Sequence, residues 1–146
     1  MNREKKILLA LILAFTFMVI LSGCSGLPKT AKLTISIDPN PVPCSSEDGI
    51  WRYAMTISES NGVGITLTSV RFDSYDQEDQ LYYSQFLYGQ DIIDWFVSDY
   101  IPAFSMLQNG NIGSSSTGKY KIITIEGVDD NNNLIEATVR VDYLPK

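Results

Sequence analysis

The sequence predicts an all-β sandwich of about seven short strands, preceded by an apolar helical leader that is not part of the domain. Three observations carry this. Apolar and polar residues alternate with period two in several stretches of six to ten residues. Clusters of Pro, Gly, Asn and Asp separate those stretches. Two stretches dense in β-branched residues close the chain. Short strands spaced by turns in this way argue for two packed sheets.

The elements follow in order. Leu33, Ile35 and Ile37 alternate with polar neighbours, so one face of a first strand is half-buried. The proline-rich segment Pro39 to Pro43 breaks it, and a loop runs on through Cys44 to Gly49. Trp51, Tyr53, Met55 and Ile57 form the heavy apolar face of a second strand. Asn61-Gly62-Val63-Gly64 reads as a tight turn of the hairpin kind, since Asn-Gly accepts positive φ. In the third strand Ile65 and Leu67 lie on one phase and Val70 and Phe72 on the other. A slip near Thr68-Ser69 predicts a β-bulge or a change of partner.

An acidic loop (Asp73, Asp76, Glu78, Asp79) and an aromatic stretch (Leu81 to Tyr88) come next. Asp91 to Phe96 reads as a single helical turn, with Ile92 and Phe96 four apart, and Pro102 ends what precedes it. Asn109 to Gly118 is a loop or a weak edge. Tyr120 to Glu126 and Leu134 to Tyr143 are strong strands, joined across Asp129-Asp130-Asn131-Asn132-Asn133 as a hairpin.

The N-terminus is of another kind. Arg3, Lys5 and Lys6 precede fifteen uncharged residues, Ile7 to Leu21. A basic segment, an apolar segment and small residues at a cut site are the parts of an export signal. Fifteen helical residues reach roughly 22 Å, short of the ~30 Å hydrocarbon core, although Ser22 to Leu27 could close the gap. Leu21-Ser22-Gly23-Cys24 resembles the bacterial lipoprotein signal, or lipobox: an aliphatic residue, two small ones, then cysteine. That resemblance implies cleavage between Gly23 and Cys24, with a diacylglycerol on the Cys24 thiol. Two or more acyl chains hold stably in a bilayer where one is marginal. Ser25 is permissive for outer-membrane sorting in a Gram-negative envelope. Residues 1–23 are thus expected to be a cleaved signal, 24–30 the lipidated cysteine and a Gly/Pro/Ser tether, and 31–146 one domain.

The part after Gly23 holds eight basic and sixteen acidic residues, a net charge of −8. That balance argues against nucleic acid and against adsorption to anionic head groups. With Cys24 lipidated, Cys44 has no partner in the chain, and burial is the expectation for it. The chain contains no histidine, which removes His metal sites, Ser-His-Asp triads and Cys-His pairs.

Gly118-Lys119-Tyr120 and the hairpin that follows resemble the closing strands of bacterial immunoglobulin-like or fibronectin-type-III-like domains. The resemblance implies an immunoglobulin-like β-sandwich and gives Tyr120 the place of the tyrosine corner, its hydroxyl bonding back to nearby backbone. The inter-sheet cysteine pair of antibody-type domains is missing.

Candidate chemistry is sparse. The groups Asp73, Asp76, Glu78, Asp79 and Asp129 to Asn133 offer oxygen atoms but not the spacing of a calcium loop, so they read as a solvated loop and a polar turn. No metal and no cofactor is expected. Among the aromatics from Tyr82 to Phe104, about half fit a core of this size. Tyr82, Tyr88 and Trp95 are the candidate contact surface for a protein or sugar. The expected protein is therefore not an enzyme. It is a lipid-anchored, extracytoplasmic envelope module that binds or assembles with a protein partner. The alternative is a carbohydrate-directed accessory domain or small hydrolase using Asp91 to Trp95, with Asp91 and Asp94 as paired carboxylates.

Overall fold

The computed structural model describes residues 29–115 and 118–145. Signal, lipobox and Cys24 therefore lie outside the described residues. Among the described residues eight strands and one helix follow in the order β1 (Leu33–Asp38), β2 (Trp51–Glu59), β3 (Ile65–Tyr75), β4 (Leu81–Leu87), α1 (Gln90–Phe96), β5 (Tyr100–Ile101), β6 (Met106–Ser114), β7 (Tyr120–Asp129) and β8 (Leu134–Asp142). Two antiparallel sheets face each other, β1-β2-β6 and β4-β3-β7-β8, and the short β5 pairs with the start of β3. This is the all-β sandwich of immunoglobulin-like type, with its fourth strand beside the third rather than in the first sheet.

The alternation read from the sequence selects the inner faces. Met55 and Ile57 of β2 and Ile112 of β6 meet Val70, Phe72, Ile123 and Ile125 of the second sheet in one continuous core. The phase slip in β3 is a register shift between Leu67 and Ser69, so Ile65 and Leu67 and then Val70 and Phe72 all reach that core. Opposite the shift stands Gly127. A Cβ there would lie 2.7 Å from the Thr66 carbonyl oxygen, so only glycine lets β7 approach β3 this closely.

Several expectations are corrected. Asn61-Gly62 does turn the chain, with Gly62 at φ 81°, but β2 and β3 belong to different sheets and form no hairpin. The turn signal is local, whereas the choice of partner is made by the two apolar faces. The aromatic stretch Leu81 to Leu87 is a full edge strand. Met106–Ser114 is a nine-residue edge strand, so of the loop and the weak edge expected for Asn109 to Gly118 the edge forms, beginning earlier at Met106. The Asp129 to Asn133 hairpin forms as expected. Tyr120 does not make the corner the resemblance implied. Its ring lies on the outer face, stacked on Tyr75 at 4.8 Å with the Arg140 guanidinium 3.7 Å above it.

After Asp38 the chain leaves β2 and crosses to the other sheet. The Asn40 side chain accepts from the Asp142 N–H and donates to the Arg140 carbonyl, both at 2.9 Å. Val42 then bridges Tyr143 in parallel. This segment covers the free edge of β8, which would otherwise be a template for pairing with another chain.

The two ends of the sandwich differ. At one end the first described residues are tied into the turns. Ala31 N–H donates to Asp129 (3.0 Å), Lys32 N–H to Glu59 (3.2 Å), Asn61 Nδ2 to the Thr30 carbonyl and Asn131 Nδ2 to the Lys29 carbonyl (2.6 Å each). The opposite end gathers the start of β7, the ends of β3 and β6, and the C-terminal residues Tyr143 to Pro145.

Candidate functional site

The three residues of the expected contact surface do not come together. Tyr82 and Tyr88 are exposed at opposite ends of β4, about 20 Å apart at strand rise. Trp95 is half-buried, its ring 5.3 Å from Phe72, and it helps to close the core under α1. The core takes fewer of the aromatics than expected. Phe96 is buried, while Tyr82, Tyr83, Phe86, Tyr88, Tyr100 and Phe104 are all more than a third exposed. Four of those six belong to β4 or follow it directly, which makes the exposed edge strand the apolar feature of the surface. Phe86 and Tyr88 stack with their rings parallel, 5.9 Å apart. Beneath them Asp73 is held by the Ser84 hydroxyl (2.6 Å) and Arg71 (3.0 Å).

Asp91 and Asp94 are exposed on α1, and Asp94 accepts from Gln90 Nε2 at 2.8 Å. They do not face one another across a cleft. Asp94 and Trp95 instead line a shallow depression of about 290 Å³ with Asn109, Asn111 and Ile112. Asn109 is engaged there, donating to the Trp95 carbonyl at 3.0 Å and accepting from the Asn111 N–H.

Both acidic turns have internal uses. Asp129 accepts from the N–H groups of Ala31, Asn131 and Asn133 and from the Asn133 side chain. Burial pushes its carboxyl up, and these donors outweigh that and hold it at about 2. Asp76 accepts from the N–H groups of Glu78 and Gln80, and Asp79 pairs with Lys119 at 2.9 Å. Among the described residues no cluster of three or more His, Cys, Asp or Glu is arranged to hold a metal ion. Cys44 is a free thiol, half-buried against the core rather than fully buried.

Two features escaped the sequence reading. Glu59 is 3% exposed and accepts four backbone N–H groups, from Lys32, Asn61, Gly62 and Phe104, at 2.7–3.2 Å. Burial raises its pKa, but the four donors more than compensate and bring it to about 2. Continuing the β2 alternation from Ile57 would have placed it inside. The second feature is a cleft of about 460 Å³ between the sheets, at the end remote from Lys29 to Lys32. Ser74, Tyr82, Tyr83, Gln85, Ser114 and Lys121 are among the residues that line it. Lys121 shares the phase of Ile123 and Ile125, so the same alternation turns an ammonium inward.

No family model and no curated protein matches the chain. Solved structures with a similar chain path include a structural-genomics target (14% identity, TM-score 0.47, covering 80% of this chain and 89% of that one). Another is an ApaA-designated protein of Bordetella pertussis (16% identity, TM-score 0.49, covering 81% and 98%). A third is a CARDB domain from Pyrococcus furiosus solved in complex with di-metal ions (16% identity, TM-score 0.41, covering 80% and 90%). At such identities no function carries over.

Proposed function

We propose that this chain is a bacterial envelope lipoprotein, anchored through acyl groups on Cys24, that displays its sandwich as a non-catalytic binding or assembly module. The observation that carries the binding half is the β4 edge, where Leu81, Tyr82, Tyr83 and Phe86 are exposed together with Tyr88. Tyrosines and phenylalanine give large, stiff contact area at low entropic cost, and an unpaired edge offers backbone donors and acceptors beside them. The anchoring half rests on the lipobox resemblance and on the net charge of −8 after Gly23, which favours a domain standing off anionic lipid.

Two measurements test it. Labelling cells with an alkynyl fatty acid marks the wild-type chain and leaves Cys24→Ala unmarked, and mass spectrometry finds an acylated cysteine as the new N-terminus. An unmodified Cys24 or a retained leader overturns the acyl anchor. Photo-crosslinkers at Tyr83 and Phe86 trap an envelope protein, while the same group at exposed Leu134 on β8 does not. Equal yields at all three positions count against a β4 surface.

A second reading is favoured by the depression beside α1. An indole face next to Asp94 and Asn111 suits a sugar ring, so a glycan-directed accessory domain is the alternative. Trp95→Phe would then abolish retention on a glycan matrix with β4 crosslinking unchanged.

A further inference from the structure

β3 and β7 pair so that Ser74 stands opposite Lys121, and β3 and β4 pair so that Ser74 also stands opposite Tyr83. Side chains directly opposite on neighbouring strands share a face, with Cα atoms about 5 Å apart. These three therefore turn together into the space between the sheets. From there Lys121 Nζ donates to the Ser114 hydroxyl of the facing sheet at 3.1 Å, and the Tyr143 ring lies 6.0 Å from it. Among the described residues no carboxylate pairs with Lys121: the ion pairs there join Arg52 to Asp48, Arg71 to Asp73, Lys119 to Asp79 and Arg140 to Asp142.

The Ser74 hydroxyl, 1% exposed, has no hydrogen-bond partner at all. A buried hydroxyl left unpaired costs free energy, and so does an ammonium drawn from water without a counter-charge. A domain with sixteen carboxylates has placed none of its described ones here. Both deficits sit on one cleft of about 460 Å³ that opens past Tyr82 and Tyr83.

We propose that this inter-sheet cleft binds a small monocarboxylate, its carboxylate meeting Lys121 Nζ and Ser74 Oγ and its body lying between Tyr82 and Tyr83. One ammonium and neutral hydroxyls complement a single negative charge. A phosphate dianion would call for further cations, and among the described residues Lys121 is the one cation lining the cleft. Tyrosine faces beside a charged handle suit an acidic sugar better than a bare acyl chain. The cleft does not involve Cys24, so its test reads the cleft whatever the fate of Cys24.

The experiment titrates full-length protein in non-ionic detergent with glucuronate, acetate, glucose and inorganic phosphate, following amide resonances and thermal midpoint. Glucuronate is expected to move the resonances of Ser74, Tyr83 and Ser114 saturably, acetate to do so more weakly, and glucose to leave them in place. Ser74→Ala weakens glucuronate about tenfold, the worth of one hydrogen bond to a charged group. Lys121→Met abolishes binding while the ligand-free thermal midpoint holds or rises, because a part-buried charge without a counter-charge has gone. Failure of both carboxylates to saturate overturns the proposal. So does saturation by phosphate alone, or a Lys121→Met chain that keeps full glucuronate affinity. If Lys121→Met does not fold, Ser74→Ala decides: unchanged glucuronate affinity overturns the site.

Discussion

Glu59 and Asp129 each draw the backbone N–H groups of several segments onto one carboxylate, and both reach the residues where the domain begins. Their folded pKa values near 2 lie below the unfolded values of 4.5 and 3.8. A depressed carboxylate pKa contributes stability that is fully present above the unfolded value and is lost as pH falls toward the folded one. Urea midpoints are therefore expected to hold from pH 7 to about 5 and to fall between about pH 5 and 2. Glu59→Gln flattens that fall and lowers the plateau by about 1–3 kcal/mol, because its amide presents donors to donors. Gly127→Ala is expected to cost about 1–3 kcal/mol, the usual penalty for overpacking, since the atom it meets is backbone and cannot swing away. Urea unfolding at pH 7 measures it. Glu59 escaped the sequence reading although its inward place lay one step beyond the alternation that ends at Ile57. The use of Asp129 was not legible, because its donors at Ala31 and Asn133 are fixed by the turn and by packing across the sandwich.

Among the elements, α1 and β4 divide the aromatic stretch between core and surface. Trp95→Ala is expected to cost about 3 kcal/mol, at the low end for a large aromatic because the ring is only half-buried. Tyr88→Ala and Phe86→Lys are expected to stay within about 0.5 kcal/mol, as surface changes do. Phe86→Lys also blunts the edge, so loss of crosslinking or self-association with an unchanged thermal midpoint marks β4 as a contact element. The strands with clean alternation, β1, β2, β3 and β8, were readable with their inward residues, and the bulge in β3 was visible as a phase slip. Besides the two-residue β5, two strands were not. β4 carries aromatics on both faces because one is exposed at the edge, which erases the period. β6 bears the polar and glycine residues that an edge tolerates and a loop prefers.

For the whole molecule, two sheets could be read from the sequence but their membership could not. The Asn61-Gly62 turn joins sheets although it has the composition of a hairpin, since composition sets backbone torsions and the apolar faces set the partner. Nor was the pairing of Ser74 with Lys121 legible, because it depends on the register of β3 against β7 across a separation of 47 residues. If Cys24 is acylated as proposed, the acyl groups stand outside the domain, and Cys24→Ala is expected to lose the fatty-acid label with no change in the urea midpoint of the domain.

The ties at Lys29 to Lys32 also give the molecule an up and a down. If Cys24 carries the proposed acyl chains, the five steps to Lys29 would let the domain's base ride at most about 17 Å above the lipid. β7 then climbs the length of the sandwich from Asp129 at that base to Lys121, eight residues and roughly 27 Å higher. On the proposed anchor at Cys24, the cleft mouth would stand at the end of the sandwich away from the lipid.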